Sequence, residues 1–174
     1  MASQLETPRL RLRAYTRADI DRLAALYADP DVTAFTKLGR LTRAQAAAIL
    51  DGYLADWRDR PFGMCAGFLK ADGAYAGECG LFWLERSGDP ALRYAFHKRF
   101  WGRGLASEAA HGVIDHAFRR LGLLRLVSFI EAPNEASHGV MRKLGFTVER
   151  VTRTPKGELH VYGVTADRWL GRRI

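Results

Sequence analysis

Arg93-Tyr94-Ala95-Phe96-His97-Lys98-Arg99-Phe100-Trp101-Gly102-Arg103-Gly104-Leu105-Ala106-Ser107-Glu108 decides how the chain is to be read. It passes from a strand-like run through a loop with two glycines into a helix-like run. Glycine lets a backbone come close to a ligand, a helix start offers unpaired N–H groups with partial positive charge, and Lys98, Arg99 and Arg103 add whole charges. Those three properties in one place outline an anion site. Taken singly they are bland: Gly102 and Gly104 serve any tight turn, and the arginines any basic surface. The loop is neither a dinucleotide fingerprint nor a P-loop, because it lacks a third glycine at the required offset and a Gly-Lys-Ser/Thr. A phosphate-bearing ligand at a strand-to-helix junction remains.

Outward from this stretch the pattern alternates between strand and helix periods. Upstream, residues 64–69 and 74–84 form a hairpin around Asp72-Gly73 and lead, after Gly88-Asp89-Pro90, to a third strand over 92–97. Downstream, Leu105, Ala109, Val113, Ala117 and Leu121 recur at helical spacing until Gly122. An apolar run over 124–130 predicts an interior strand, 137–144 a short helix closed by Gly145, and 147–153 and 159–164 two last strands about Pro155-Lys156-Gly157. At the other end, a short strand over 10–13 precedes two helices. Each starts at a capping box, Thr16 with Asp19 and Thr42 with Gln45, and each is closed by a proline, Pro30 and Pro61. The order is strand, two helices, three strands, helix, strand, helix, two strands. No repeat or linker divides it, so residues 1–174 are expected to form one α/β domain with a mixed sheet.

Composition agrees. The 174 residues are 48% hydrophobic and 26% charged, which suits one globular core. No apolar run reaches the roughly 18 residues that a membrane span needs, and the start of the chain carries no leader pattern, so a cytoplasmic protein that does not use a membrane is expected. The net charge of +8 attracts polyanions, either nucleic acid or a polyphosphate ligand, but the cations are scattered, Arg9 to Arg172, rather than gathered in a tract. With a two-residue loop at Asp72-Gly73, Cys65 falls opposite Gly80, and Cys79 points to the other face of the sheet. Both cysteines then read as small buried residues, with neither a disulfide nor a metal site expected.

Trp101-Gly102-Arg103-Gly104-Leu105-Ala106-Ser107-Glu108-Ala109 resembles the acetyl-CoA loop of the GNAT superfamily, and its aromatic-Trp-Gly-basic-Gly form resembles the RimJ/RimL-type, ribosomal-protein N-acetyltransferase branch. Residues 5–13 are similar to that family's opening strand. Asn134-Glu135-Ala136-Ser137 followed by Lys143-Leu144-Gly145-Phe146 resembles its second cofactor motif, and Tyr162 and Trp169 also fall where the branch has them. Two ordered motifs about 30 residues apart are far more specific than either alone. The resemblance implies a mixed, mostly antiparallel sheet of about seven strands with about four helices, and an enzyme that moves an acetyl group from acetyl-CoA to a primary amine. Two registers fit the family's loop: Arg99-x-x-Gly102-x-Gly104, and Trp101-x-x-Gly104-x-Ala106, which sets the helix start better. In both, amides from Gly102 through Arg103, Gly104, Leu105 and Ala106 to Ser107 face the pyrophosphate. Backbone groups of Tyr94, Ala95 and Phe96 would pair with the pantetheine arm. Asn134, Ser137 and Lys143 would meet the ligand from the other side, with Asn134 equally suited to capping a helix.

The same resemblance leaves the proton chemistry incomplete. The tyrosine that many relatives carry four residues before Gly-Phe is Met141 here, which makes Ser137 the candidate acid, or else an N-cap serine. The carboxylate of the fourth strand is Ala91, with Arg93 near it, which leaves Glu78, Glu85 and Glu158. Glu78 is the preferred base, on a strand among small and apolar neighbours. An α-amine is roughly a tenth neutral at pH 7 and a lysine less than about a thousandth. A weak base therefore tilts the acceptor toward a protein N-terminus. A small-molecule amine, a basic nucleic-acid-binding module and a non-catalytic acyl-CoA-binding protein are the alternatives. A monomer or homodimer is expected, with no nucleic acid partner and no metal.

Overall fold

The computed structural model describes residues 4–36, 39–85 and 88–171. Arg172, one of the scattered cations, lies outside them. Eight strands form one sheet, in the order β1-β2-β3-β4-β5-β6-β8-β7. They are β1 (Gln4–Glu6), β2 (Leu10–Ala14), β3 (Met64–Leu69), β4 (Tyr75–Leu84), β5 (Asp89–Phe96), β6 (Arg125–Glu131), β7 (Thr147–Thr154) and β8 (Gly157–Thr165). Every neighbouring pair is antiparallel except β5 with β6. The α-helices among the described residues are α1 (Ile20–Ala28), α2 (Pro30–Thr33), α3 (Arg43–Asp59), α4 (Leu105–Arg119), α5 (Glu135–Lys143) and α6 (Ala166–Leu170).

The helices cover the sheet on two sides. Leu105, Ala109, Ala110 and Ile114 of α4 pack on Leu12, Leu81, Leu92 and Phe96, together with Met141 and Leu144 from the α5 region. Leu23, Leu26 and Tyr27 of α1 and Leu50 and Tyr53 of α3 pack on Met64, Ala66 and Ala95. Both faces of β5 are therefore buried, through alternate residues. The capping box at Thr42 forms as expected, with the Gln45 amide donating to the Thr42 hydroxyl and Gln45 accepting from the Thr42 amide. At Thr16 the first turn is a short 3-10 helix before α1.

Several expectations need correction. Pro30 does end the first helix but also begins α2 at its first position, where a missing N–H costs nothing, with Asp29 as the capping acceptor. The opening strand is a hairpin, β1 and β2, turning at Thr7 to Arg9 around Pro8, and a sixth helix, α6, follows β8. The strand before the decisive loop starts at Asp89, so Asp89-Pro90 is strand and not loop. The hairpin of β3 and β4 closes through residues 70–73, with the Leu69 amide donating to the Ala74 carbonyl, and a bulge lies between Gly67 and Phe68. The four-residue turn alone would set Cys65 opposite Glu78; the bulge moves the pairing by one, so Cys65 pairs with Cys79 and not Gly80, and both face the α4 side. Both are free thiols; burial pushes Cys65 up to about 12 and Cys79 well above its ordinary value.

Candidate active site

The parallel pair β5 and β6 is in register at Ala91 with Val127 alone. Beyond that point β5 continues to Phe96 and β6 to Glu131, and the two strands diverge. The Leu92 carbonyl accepts from the Ser128 hydroxyl at 3.2 Å and the Phe96 carbonyl from the Trp101 indole N–H at 2.7 Å, so this edge of β5 turns toward β6. Strand alternation turns the Tyr94 backbone groups and the Phe96 N–H the same way. The result is a slot walled by main-chain donors and acceptors, which spans roughly 16 Å between Ala91 and Phe96 at about 3.3 Å per residue.

At the slot's open end the chain turns through the glycine loop into α4. Gly102 and Gly104 stand at φ 70° and 74°, in the left-handed region, and Gly104 is the N-cap residue with no side chain closing the helix start. A Cβ at Gly102 would meet nothing within 4 Å, and one at Gly104 only the Arg9 guanidinium at 3.6 Å. The loop is thus a shallow open cradle. The Glu108 amide already bonds the Gly104 carbonyl, while the amides of Leu105, Ala106 and Ser107 head the helix. This helix start agrees with the register built on Trp101, Gly104 and Ala106. Arg99 and Arg103 are exposed and flank Phe100, their guanidiniums 4.7 and 5.7 Å from its ring centroid. Trp101 is 46% exposed.

One clamp was missed in the sequence reading. Glu108 accepts from the Thr7 hydroxyl (2.6 Å), the Arg9 amide (2.7 Å) and Arg9 Nε (2.6 Å), while Arg9 Nη1 donates to the Arg103 carbonyl at 2.9 Å. Burial works to raise the Glu108 pKa, and the Thr7 and Arg9 bonds outweigh it and hold the carboxyl below its usual range. The β1–β2 turn therefore fixes the cradle from behind. Only the distance in sequence hid it.

Across the slot, α5 starts at Asn134, whose side chain accepts from the Ser137 amide at 3.1 Å. Asn134 is the cap, so the alternative of Ser137 as N-cap is corrected, and the Ser137 hydroxyl is left for other use. Next to it, buried His138 contacts the Tyr162 hydroxyl at 2.7 Å through Nδ1 and the Ala132 carbonyl at 3.2 Å through Nε2. A carbonyl only accepts, so Nε2 carries the proton and Nδ1 accepts from Tyr162. Lys143 is exposed in the last turn of α5, roughly 9 Å along the helix axis from Ser137 at about 1.5 Å per residue.

On the opposite face of the sheet, Glu78 stands beside Ala95 and is 0% exposed. Its surroundings are not the small apolar groups expected. Tyr27 and Tyr53 donate to one carboxylate oxygen at 2.6 and 3.1 Å, and Tyr15 to the other at 3.0 Å. Arg93 Nε lies 3.8 Å away, Arg93 Nη2 donates to the Tyr53 hydroxyl, and Tyr15 is linked to the Tyr75 hydroxyl at 2.7 Å. Burial and the Glu78 charge push Tyr15, Tyr53 and Tyr75 well above the ordinary tyrosine range. The other carboxylates stand apart: the Glu85 side chain is 82% exposed at Arg60, and Glu158 is exposed on β8.

The family described as "Acetyltransferase (GNAT) domain" matches residues 9–147, the span that holds the slot, the cradle and, Thr7 apart, the clamp. The chain belongs to the GNAT acetyltransferase family. Among curated GNAT-like relatives, "Uncharacterized N-acetyltransferase YoaA" of Bacillus subtilis is 30% identical over 152 residues, which is 86% of this chain and 85% of that protein. An acetyltransferase of Agrobacterium tumefaciens has a solved structure with TM-score 0.83 and 27% identity, covering 94% of this chain and 95% of that one. The RimL ribosomal L7/L12 α-N-protein acetyltransferase, solved with coenzyme A, superposes with TM-score 0.82 over 95% of this chain and 99% of that one; at 18% identity it speaks for the fold. The GNAT chain described here is thus an N-acetyltransferase of a family whose acyl donor is acetyl-CoA. Among the described residues no helix is long and apolar enough to cross a membrane, and no group of three potential metal ligands occurs.

Proposed function

We propose that this GNAT enzyme acetylates a weakly basic primary α-amine, such as a protein N-terminus, in the manner of the RimJ/RimL-type branch. One observation supports the reading most: Ala91 stands where an exposed carboxylate would serve as base, and Glu78 is screened by Tyr15, Tyr27 and Tyr53. Glu78 then acts through those hydroxyls rather than by touching the acceptor. An amine that is already roughly a tenth neutral at pH 7 needs little more, whereas a lysine does. With +8 net charge the protein also repels polycations, which favours neutral or acidic acceptors.

In this reading the amides from Gly102 to Ser107 hold the pyrophosphate, with Arg99, Arg103 and Lys143 supplying positive charge. The Tyr94, Ala95 and Phe96 main chain orients the pantetheine arm in the slot, and the Phe96 N–H is placed to receive the oxyanion. Acetyl-CoA brings the activated thioester; the chain binds and orients it and manages protons. The glycine cradle, which any side chain would narrow, is the feature that fits this ligand.

Thiol release with a panel of amines tests the acceptor. Peptides with free N-termini and neutral or acidic first residues are expected to outpace N-terminally blocked lysine peptides and spermidine at pH 7. Faster turnover of blocked lysine peptides would overturn the reading, and faster turnover of a small metabolite amine would move the enzyme to small-molecule acetylation.

A further inference from the structure

Among the described residues two buried side-chain atoms lack a hydrogen-bond partner, Arg93 Nε and the Tyr94 hydroxyl. The first has the Glu78 carboxylate at 3.8 Å to answer its charge. The second has Ser137 beside it but no hydrogen bond of full geometry. An unanswered buried hydroxyl costs about 1–3 kcal/mol, and a phenylalanine at this position would avoid the cost. Tyr94 lies on β5 past the point where β6 departs, and its side chain packs on the α4 face of the sheet with Ser137 of α5 beside its hydroxyl.

We propose that the Tyr94 hydroxyl is the proton donor to the departing sulfur of acetyl-CoA, with the Ser137 hydroxyl as its partner. The inference rests on acetyl-CoA lying in the slot. Three observations carry it. The group is buried and has no hydrogen bond of full geometry, with Ser137 beside it. The two buried side chains of α5 are excluded: Met141 has no proton to give, and His138 is bonded at both ring nitrogens. Ser137 neighbours Tyr94 and is released from capping by Asn134, so it is available to pass a proton rather than to close the helix. Burial pushes the phenol above its ordinary pKa and Ser137 pulls it partly back, which keeps Tyr94 protonated and a donor at neutral pH.

The step balances. The acceptor nitrogen forms its bond to the acetyl carbon, the C–S bond breaks with its electron pair on sulfur, and the Tyr94 O–H proton completes the thiol. The surplus proton of the nitrogen leaves to solvent. The phenolate regains one from solvent through Ser137.

The test uses the full chain with free CoA and with acetyl-CoA. Ultraviolet absorbance of the bound CoA thiolate, followed against pH, should show an apparent thiol pKa about one unit higher in Tyr94→Phe, a tenfold loss of thiolate stabilisation. The variant should keep the thermal shift produced by CoA. With acetyl-CoA and the fastest amine of the panel, kcat should fall about 10²–10⁴-fold at unchanged KM for acetyl-CoA, with a smaller fall in Ser137→Ala. An unchanged thiol pKa and kcat in Tyr94→Phe, with the CoA shift intact, would overturn the assignment. So would a full loss confined to Ser137→Ala, which makes serine the donor. Absence of any CoA shift in the unaltered protein would instead remove the slot reading, a separate failure.

Discussion

Gly104 carries more of the binding argument than any charged side chain. At φ 74° it bears no Cβ, and a valine there would be forced into a region that costs an L-residue about 1–2 kcal/mol. Gly104→Val should abolish the CoA thermal shift while the protein still melts cooperatively. A second residue effect concerns acid. Asp19 is fully buried, and burial alone would raise its pKa, but Arg13 at 2.7 and 2.8 Å and the bonds from Thr16 hold it at about 2. A lowered folded pKa means stability that is present above the ordinary carboxylate range and lost as pH falls toward about 2. Asp19→Asn should cost on the order of 1–2 kcal/mol at pH 7 and much less at pH 2, read as urea midpoints at the two pH values.

The Glu78 cluster shows what a pair of packed elements adds to a residue. Its tyrosines come from the β2–α1 connection, α1, α3 and β4, and Arg93 comes from β5, so the network ties both helices to the centre of the sheet. Glu78→Ala leaves half-buried Arg93 without its counter-charge and should destabilise by about 3 kcal/mol, the low end for a buried pair because Arg93 is partly solvated. Tyr27→Phe removes one bond to a charged acceptor and should cost about 1.5–3 kcal/mol, both measured by urea denaturation. None of this convergence was legible. Tyr15, Tyr27, Tyr53 and Tyr75 read as core aromatics, because periodicity reports which face a residue occupies and not what it meets there. Local signals did better: the Thr42–Gln45 box and the end of α4 were in place. The β3–β4 register failed because neither the longer four-residue turn nor the bulge leaves a composition mark, and Ser137 as cap failed because Asn134, three residues earlier, offered the same chemistry.

At the scale of the molecule, the order of elements and the single sheet followed from alternating periods, while the splay of β5 from β6 did not, since nothing in an apolar run says where pairing stops. That splay makes binding and stability one measurement. Acetyl-CoA at about 100 times its dissociation constant should add about 2.7 kcal/mol, or roughly 5–10 °C for a chain of this size. The shift should fall only modestly with added salt, unlike nucleic-acid binding with its many phosphate contacts. Trp101 gives the same event an optical form. Its ring stands 46% in water at the mouth of the slot with its N–H held by Phe96, whereas Trp169 is 7% exposed in the core. An occupant of the cradle should dry that ring and move its fluorescence to shorter wavelength, so the enzyme carries its own unlabelled reporter, and Trp101→Phe should leave titrations dark.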